Sequence, residues 1–448
     1  MEYLALILFL VIFIAILRGY PVAFTLAGVS ILFGLAMAVF APEYFTFNDF
    51  KLLAPRIMGT IKNYVLMAVP LFIFMGIMLE KSGLAESLLE TMAMLFGRLR
   101  GGLAISVVLV GALLAASTGI VGATVVTMGL ISLPTMLKRG YEPELATGVI
   151  CASGTLGQII PPSIVLVLLA DTISANTKST TVDVGTMFTA ALIPGILLVV
   201  IYVLYIFIYA NLKKDVAPPI PAEDIKAFKE KGFYGRVLKA FLLPVTLIAA
   251  VLGSIFAGIA SPTEAAAVGA IGAIILTIIQ KRFNLKILQE VMQQTTHLTA
   301  MVFMILLGAT TFTLVFRMMG GDEFLIEAIT SSQLSPMVFL GIVLLVIFVA
   351  GFFIDFIEII FIMVPVVAPI FDALGVDMLW VGILIALNLQ TSFLTPPFGF
   401  ALFYLKGVAP EGVTTKQIYR GVLPFIIIQL IFLLLVFLYP NIIYFIIK

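Results

Sequence analysis

The sequence predicts an all-α polytopic membrane protein made of two inverted repeats, each holding a re-entrant helical hairpin and a broken helix. Three observations carry that prediction. The 448 residues are 62% hydrophobic and only 11% charged, with a mean hydropathy of +1.22, far outside the range of soluble domains. Apolar runs of transmembrane length recur from end to end. Two of these runs nearly repeat each other. Pro134 leads through Gly140 to Ser153-Gly154-Thr155-Leu156-Gly157-Gln158-Ile159-Ile160-Pro161-Pro162, and Pro369 leads through Gly375 to Asn388-Leu389-Gln390-Thr391-Ser392-Phe393-Leu394-Thr395-Pro396-Pro397. A gapless shift of 235 positions superimposes both Pro-Gly landmarks and both double prolines. Paired interrupted segments in the two halves of a membrane protein point to a transporter's binding site.

Spanning helices are expected at 3–17, 21–40, 63–80, 145–170, 186–210, 240–260, 264–280, 297–317, 378–405 and 421–445. The first lacks a basic flank and a small-residue cleavage site, so it reads as a retained helix. Two further apolar stretches, 102–136 and 336–370, are too long for one crossing. About 35 helical residues reach about 50 Å, against a hydrocarbon core of about 30 Å. Folding back as hairpins resolves this, with Ser117-Thr118-Gly119 at the first tip and Asp355 at the second.

Charge placement orients the plan. With the N-terminus outside and both hairpins re-entrant, 19 of the 25 Lys and Arg fall on inner loops, the bias expected of cytoplasmic segments. The outer loops carry Glu43, Asp49, Asp171, Asp183, Asp322, Glu323, Asp372 and Asp377. The first hairpin then enters from the cytoplasm and the second from outside, an inverted arrangement found in many secondary transporters. Residues 1–100 form N-terminal scaffold helices and an arm, 101–170 the first hairpin and broken helix, 171–335 further scaffold with a cytoplasmic linker at 211–239, 336–405 the second hairpin and broken helix, and 406–448 a last scaffold helix. The amphipathic stretches 49–62 and 284–297 read equally as arms along the membrane surface or as helix extensions.

Composition excludes several functions. A net charge of +1 gives no case for nucleic acid. Single Cys151 and His297 rule out an intramolecular disulfide framework and Cys- or His-based metal clusters, and both read as packed membrane residues. No phosphate loop, His-Glu-x-x-His or Gly-x-Ser-x-Gly motif is present, so neither ATP hydrolysis by that route nor intramembrane hydrolysis is supported. The chain reads as a non-enzyme without a cofactor, driven by an ion gradient.

A broken helix exposes carbonyls that suit a small hard cation and N–H groups that suit an anion. In the first copy Ser153, Gly154, Thr155 and Gly157 supply hydroxyls and bare backbone, opposite the tip Ser117, Thr118 and Gly119. In the second, Asn388, Gln390, Thr391 and Ser392 do so opposite Asp355. Oxygen-only ligands without a ring of acids suit Na⁺ better than a divalent ion. Gln158, Pro161, Pro162 and Ser163, with Thr395, Pro396 and Pro397, are the candidate substrate contacts. The alternative is that small and hydroxyl residues only let helices approach closely. Asp355 and Glu358 are acids deep in an apolar stretch, a functional signal by default, although a solvated tip also accounts for Asp355. Arg18 reads as a cytoplasmic anchor and Arg317 as a side chain snorkelling from an outer helix end. Ser261, Thr263 and Glu264 either touch a partner or start a helix.

Read together, the Arg-Gly-Tyr-Pro-Val-Ala-Phe start at 18–24, Gly-Ala-Thr at 122–124, Gly-Gln-Ile-Ile-Pro-Pro-Ser at 157–163, Ala-Gly-Ile-Ala-Ser-Pro-Thr-Glu-Ala at 257–265 and Thr-Pro-Pro-Phe-Gly at 395–399 resemble the large membrane subunit of tripartite ATP-independent periplasmic (TRAP) transporters. The resemblance covers essentially the whole chain. It implies an inner-membrane, elevator-type secondary transporter in which Na⁺ drives uptake of an organic acid. It also implies a periplasmic substrate-binding protein that delivers the acid and a small four-helix membrane subunit, expected here as a separate chain. The competing expectation is a Na⁺/carboxylate symporter of the same design that needs no binding protein; a channel is a third.

Overall fold

A computed structural model describes residues 3–230, 235, 241–332 and 334–446; the side chains of Ser117 and Thr118 lie outside the described residues. Every regular element among the described residues is a helix. In chain order these are α1 (Tyr3–Leu17), α2 (Val22–Phe40), α3 (Leu53–Ile61), α4 (Ala68–Lys81), α5 (Leu84–Phe96), α6 (Gly102–Thr118), α7 (Val121–Lys138), α8 (Pro143–Thr155), α9 (Ile164–Asn176), α10 (Val184–Leu212) and α11 (Ala222–Glu230). The second half holds α12 (Leu243–Phe256), α13 (Pro262–Ile279), α14 (Leu285–Met318), α15 (Gly321–Ser331), α16 (Pro336–Ala350), α17 (Phe356–Ala373), α18 (Met378–Leu394), α19 (Phe400–Val408), α20 (Thr415–Leu438) and α21 (Asn441–Tyr444).

Both hairpins form. α6 folds back on α7 and α16 on α17. The first turn is closed by Gly119 at φ +61°, a left-handed conformation that favours glycine. The second turn is the five-residue stretch 351–355. Gly140 (φ +78°) and Gly375 (φ +69°) end the second arms at matching positions, and both Pro-Pro bonds are cis. The two copies interlock, since α7 packs against α19 of the other copy, and α17 against α9. Outside them the same exchange recurs, with α2 against α14 and α13 against α4.

The broken helices expected within 145–170 and 378–405 form, each as two helices separated at the prolines, because Pro162 and Pro397 offer no N–H to continue the ladder. The second piece of the first one runs on to Asn176, so Asp171 lies in a helix and not in an outer loop. Residues 285–297 are the start of the continuous 34-residue α14, capped by Asn284, the helix-extension alternative for that stretch; at about 1.5 Å per residue that helix outreaches a bilayer core. Residues 53–61, in contrast, do form a short separate helix. The amphipathic helices α5 and α15 were not expected at all.

The linker is docked and does more than connect. Ala217 O accepts from Gly101 N–H at 3.0 Å, Val216 O from Glu142 N–H at 2.9 Å, and Ile220 N–H donates to Gly97 O at 2.8 Å. It therefore straps the α5–α6 and α7–α8 junctions together. Tyr141 in the second junction is buried, and its hydroxyl accepts from Leu103 N–H at 3.2 Å. Burial pushes that phenol up to about 12.

Candidate functional site

The candidate site consists of two breaks, each facing the tip of its own hairpin. In the first copy α8 ends at Thr155, and Leu156–Gln158 tighten into one 3₁₀ turn before the prolines. Ser153 and Thr155 hydroxyls donate to Ile150 O (3.1 Å) and Ala152 O (2.9 Å) within their own helix, which leaves their lone pairs open to a cation. A Cβ placed on Gly157 would stand 2.9 Å from Ala115 O, and one on Gly111 would stand 2.6 Å from Ser153 Oγ. Hairpin and break thus touch through bare backbone, and Gly119 sits equally close to Ile164. Gly154 is pressed against Val125 of α7 and has no room for a side chain. The Ser163 hydroxyl donates to Gln158 O across the turn at 3.0 Å.

In the second copy Asn388 Nδ2 donates to Leu344 O of α16 at 2.7 Å. Thr391, Ser392 and Thr395 hydroxyls return to Leu387, Leu389 and Thr391 carbonyls at 2.8, 2.8 and 2.7 Å. Gly351 lies directly on Ser392, and Phe353 of the tip stacks near Phe398 with ring centroids 5.4 Å apart.

Two side chains stand out. Gln158 and Gln390 are both 0% exposed, and neither the oxygen nor the nitrogen of either amide has a hydrogen-bond partner among the described residues; the Tyr202 hydroxyl is a polar neighbour of Gln390. A buried polar group left unmade costs about 1–3 kcal/mol, so one such amide beside each break points to a ligand. Groups of three or more His, Cys, Asp or Glu able to hold a metal are absent among the described residues. The oxygens available at the breaks are amide, hydroxyl and carbonyl, a donor set fitting a hard monovalent ion.

The candidate substrate residues do not share one environment. Pro161, Pro162 and Ser163 are buried, Thr395 and Pro396 are half-buried, and Pro397 is exposed, its carbonyl accepting from Tyr419 Oη at 2.9 Å. Asp355 is the N-cap residue of α17, and Glu358 Oε2 accepts from its N–H at 3.3 Å, a capping arrangement that gives both acids a structural task. Asp355 Oδ1 is nevertheless buried without a partner. Ser261 and Glu264 form a full capping box at the start of α13, the helix-start alternative, while Thr263 Oγ1 donates to Tyr64 O at 3.1 Å.

Sequence reasoning missed a polar cavity of about 400 Å³ between α3, α9, α14 and α17. Arg317 does not snorkel there: its Nε is 3.0 Å from Asp322 Oδ2, and its Nη2 donates to Asn176 Oδ1 at 2.9 Å. Asn63 Nδ2 donates to Asp171 Oδ1 at 2.6 Å. Polar residues recurring at the ends of otherwise apolar helices were the available signal.

Paired hairpins and broken helices within a multi-pass α-helical bundle define a membrane transporter. The fold matches the crystal structure of the Alcanivorax borkumensis YdaH transporter with a TM-score of 0.61 over 88% of each chain, at 15% identity. The family profile of the tripartite ATP-independent periplasmic transporter DctM component matches residues 9–442. Similar relatives are the C4-dicarboxylate TRAP transporter large permease proteins of Pseudomonas aeruginosa (33% identical, covering 91% of each chain) and Rhodobacter capsulatus (30%, 95% of this chain and 97% of that one). The sialic acid TRAP transporter large permease of Vibrio cholerae is 28% identical over 94% of this chain and 93% of its own. The chain belongs to the DctM component family and is a multi-pass TRAP transporter large permease, not an enzyme.

Proposed function

We propose that this chain imports an organic acid with Na⁺ as the coupling ion, receiving the acid from a periplasmic substrate-binding protein and working beside a small four-helix membrane subunit. The observation that carries the ion assignment is the pair of unpartnered buried amides, Gln158 and Gln390, beside two oxygen-lined breaks that face hairpin tips. The relatives' names supply the substrate class, since they are designated for C4-dicarboxylates, sialic acid and ectoine.

In this reading Na⁺ settles among the Ser153, Thr155 and Gly157 break and the Asn388, Gln390, Thr391 and Ser392 break, drawing the hairpin tips onto them. The substrate lies against the proline turns. The hairpins and broken helices, α6–α9 and α16–α19, then move as one body against the remaining helices. A helix end stabilises a nearby ion through partial charges already in place, so binding needs no rearrangement of the half-helices.

The test is reconstitution in liposomes with the small subunit and the cognate binding protein under an imposed Na⁺ gradient. Uptake that needs both Na⁺ and the binding protein is the expected result. Saturable Na⁺-driven uptake without the binding protein would favour a self-sufficient symporter, and gradient-independent flux a channel.

A further inference from the structure

The polar cavity between α3, α9, α14 and α17 is separate from the two breaks. Its volume of about 400 Å³ is far more than one ion needs, and it falls in the range of pockets for small organic ligands. Two guanidiniums line it, Arg56 from α3 and Arg317 from α14. Asp322 bridges Arg317 at 3.0 Å, whereas Arg56 has no ion pair of its own among the described residues. Burial, then the cation of Arg317, holds Arg56 below the ordinary arginine range, with Asp322 opposing. With Arg317 paired to Asp322, Arg56 is the lining cation left without an acid partner among the described residues, and it favours an anion in the space. Asp171 is the acid in the lining, and its Oδ1 is already taken by Asn63 at 2.6 Å. Thr172 also lines the cavity; it is 4% exposed, and its hydroxyl has no partner. Phe361 and Pro365 of α17 supply an apolar wall for a short carbon chain.

We propose that this cavity is a carboxylate-binding vestibule. The Arg56 guanidinium would hold the acid group, the Thr172 hydroxyl would donate to it, and the Phe361–Pro365 wall would cover the carbon skeleton. The proposal rests on the reading that the chain carries organic acids, and it adds a place where such an acid rests away from the proline breaks. The charge pattern puts the segment that carries Arg56 and the end of α14 that carries Arg317 on the outer side, which would open the cavity to an acid arriving from outside. The vestibule also spans the division drawn above, with Thr172 and Phe361 on the hairpin and broken-helix body and Arg56 and Arg317 outside it.

The test reads occupancy directly and does not need transport. Ala175 lines the cavity and is exposed, while the chain's single cysteine, Cys151, is buried. In purified full-length protein in phospholipid-free detergent, Ala175→Cys would be labelled with a charged maleimide in the presence of succinate, malate or N-acetylneuraminate. At least one of these carboxylates should slow labelling saturably. Arg56→Gln should raise its half-protecting concentration roughly tenfold or more, as expected for loss of a charge-assisted hydrogen bond. Arg56→Lys should fall between, because it keeps the charge but loses the fork. Thr172→Val, nearly isosteric, should weaken protection by a smaller factor. Failure of all three acids to protect would overturn the proposal, as would protection indifferent to Arg56→Gln. Equal protection by chloride or sulfate would reduce the cavity to a general anion trap, and protection only after adding anionic phospholipid would assign it to lipid headgroups; either overturns it. Protection that persists where reconstituted uptake fails would separate the vestibule from the transport assignment.

Discussion

Replacing Gln390 by leucine should make the chain more stable without Na⁺ and blind to Na⁺. Gln390 is fully buried, and neither polar atom of its amide makes a hydrogen bond among the described residues, although the Tyr202 hydroxyl is a neighbour. An apolar side chain of similar volume relieves a burden of about 1–3 kcal/mol in the ion-free protein. On the proposed Na⁺ reading wild type would recover that deficit by binding: an ion present at one hundred times its Kd would add about 2.7 kcal/mol to the native state. The two effects have opposite signs, so one assay separates them. Thermal unfolding in detergent would be followed in matched Na⁺ and K⁺ buffers. Wild type should unfold at higher temperature in Na⁺. Gln390→Leu should exceed wild type in K⁺ and show the same transition in both salts, and its Na⁺-driven uptake should be lost. A variant less stable than wild type in K⁺ that keeps the full Na⁺ shift would refute the reasoning, because the amide would then hold the fold and not an ion. Gln158→Leu is the matching test at the first break.

Gly157→Val should wedge the first hairpin off its break, because even a Cβ there stands 2.9 Å from Ala115 O; overpacking of about 1–3 kcal/mol should appear as a lowered unfolding temperature and a weakened Na⁺ shift. Tyr141→Phe should cost about 1–2 kcal/mol by leaving Leu103 N–H without its acceptor, measured by thermal unfolding. Because that phenol is pushed up to about 12, the penalty should not change between pH 6 and pH 9, two values chosen well below it. Asp355→Asn keeps a capping side chain and removes the charge, so stability should stay within about 0.5 kcal/mol while the Na⁺ concentration for half-maximal shift rises. Asp355→Ala should lose about 1 kcal/mol as well. If Asn preserves the Na⁺ response, the carboxylate serves the cap alone.

The parts legible in the sequence were those set by local length and local chemistry. A run too long for one crossing had to turn, and it turned at Gly119 and at 351–355. The prolines had to break a helix, and did. The linker's polar composition was also readable, but its docking through Ala217 and Val216 was not, since backbone hydrogen bonds leave no mark on residue type. The helices α5 and α15 were lost because Glu86, Glu90, Asp322, Glu323 and Glu327 made short helices look like loops. The cavity was invisible because Arg56, Asp171 and Arg317 are far apart along the chain, and Asp171 and Arg317 each had a blander explanation alone. Asn388 and Gln390 are alike in chemistry, yet Asn388 reaches Leu344 O of the hairpin while Gln390 lies near the Tyr202 hydroxyl of α10 without a hydrogen bond among the described residues. Which neighbouring helix each side chain faces decides whether it is satisfied.

The same 235-residue shift that defines the repeats also shows where they diverge. Ile120 stands where the second copy has Asp355, and Ala123 where it has Glu358. Any ion chemistry common to both tips must therefore come from neutral oxygens, with the acids a specialisation of one copy. The breaks differ in the same sense: Pro161 and Pro162 are buried, while Pro397 is exposed. A cation at the first break would gain from the low dielectric around it. One at the second would lie among Asn388, Thr391 and Ser392, which are equally buried, and would face a tip that carries Asp355. The two proposed sites should consequently differ in affinity, and removing the Asp355 carboxylate should alter the Na⁺ response of the second while leaving the first, with Ile120 in its place, unchanged.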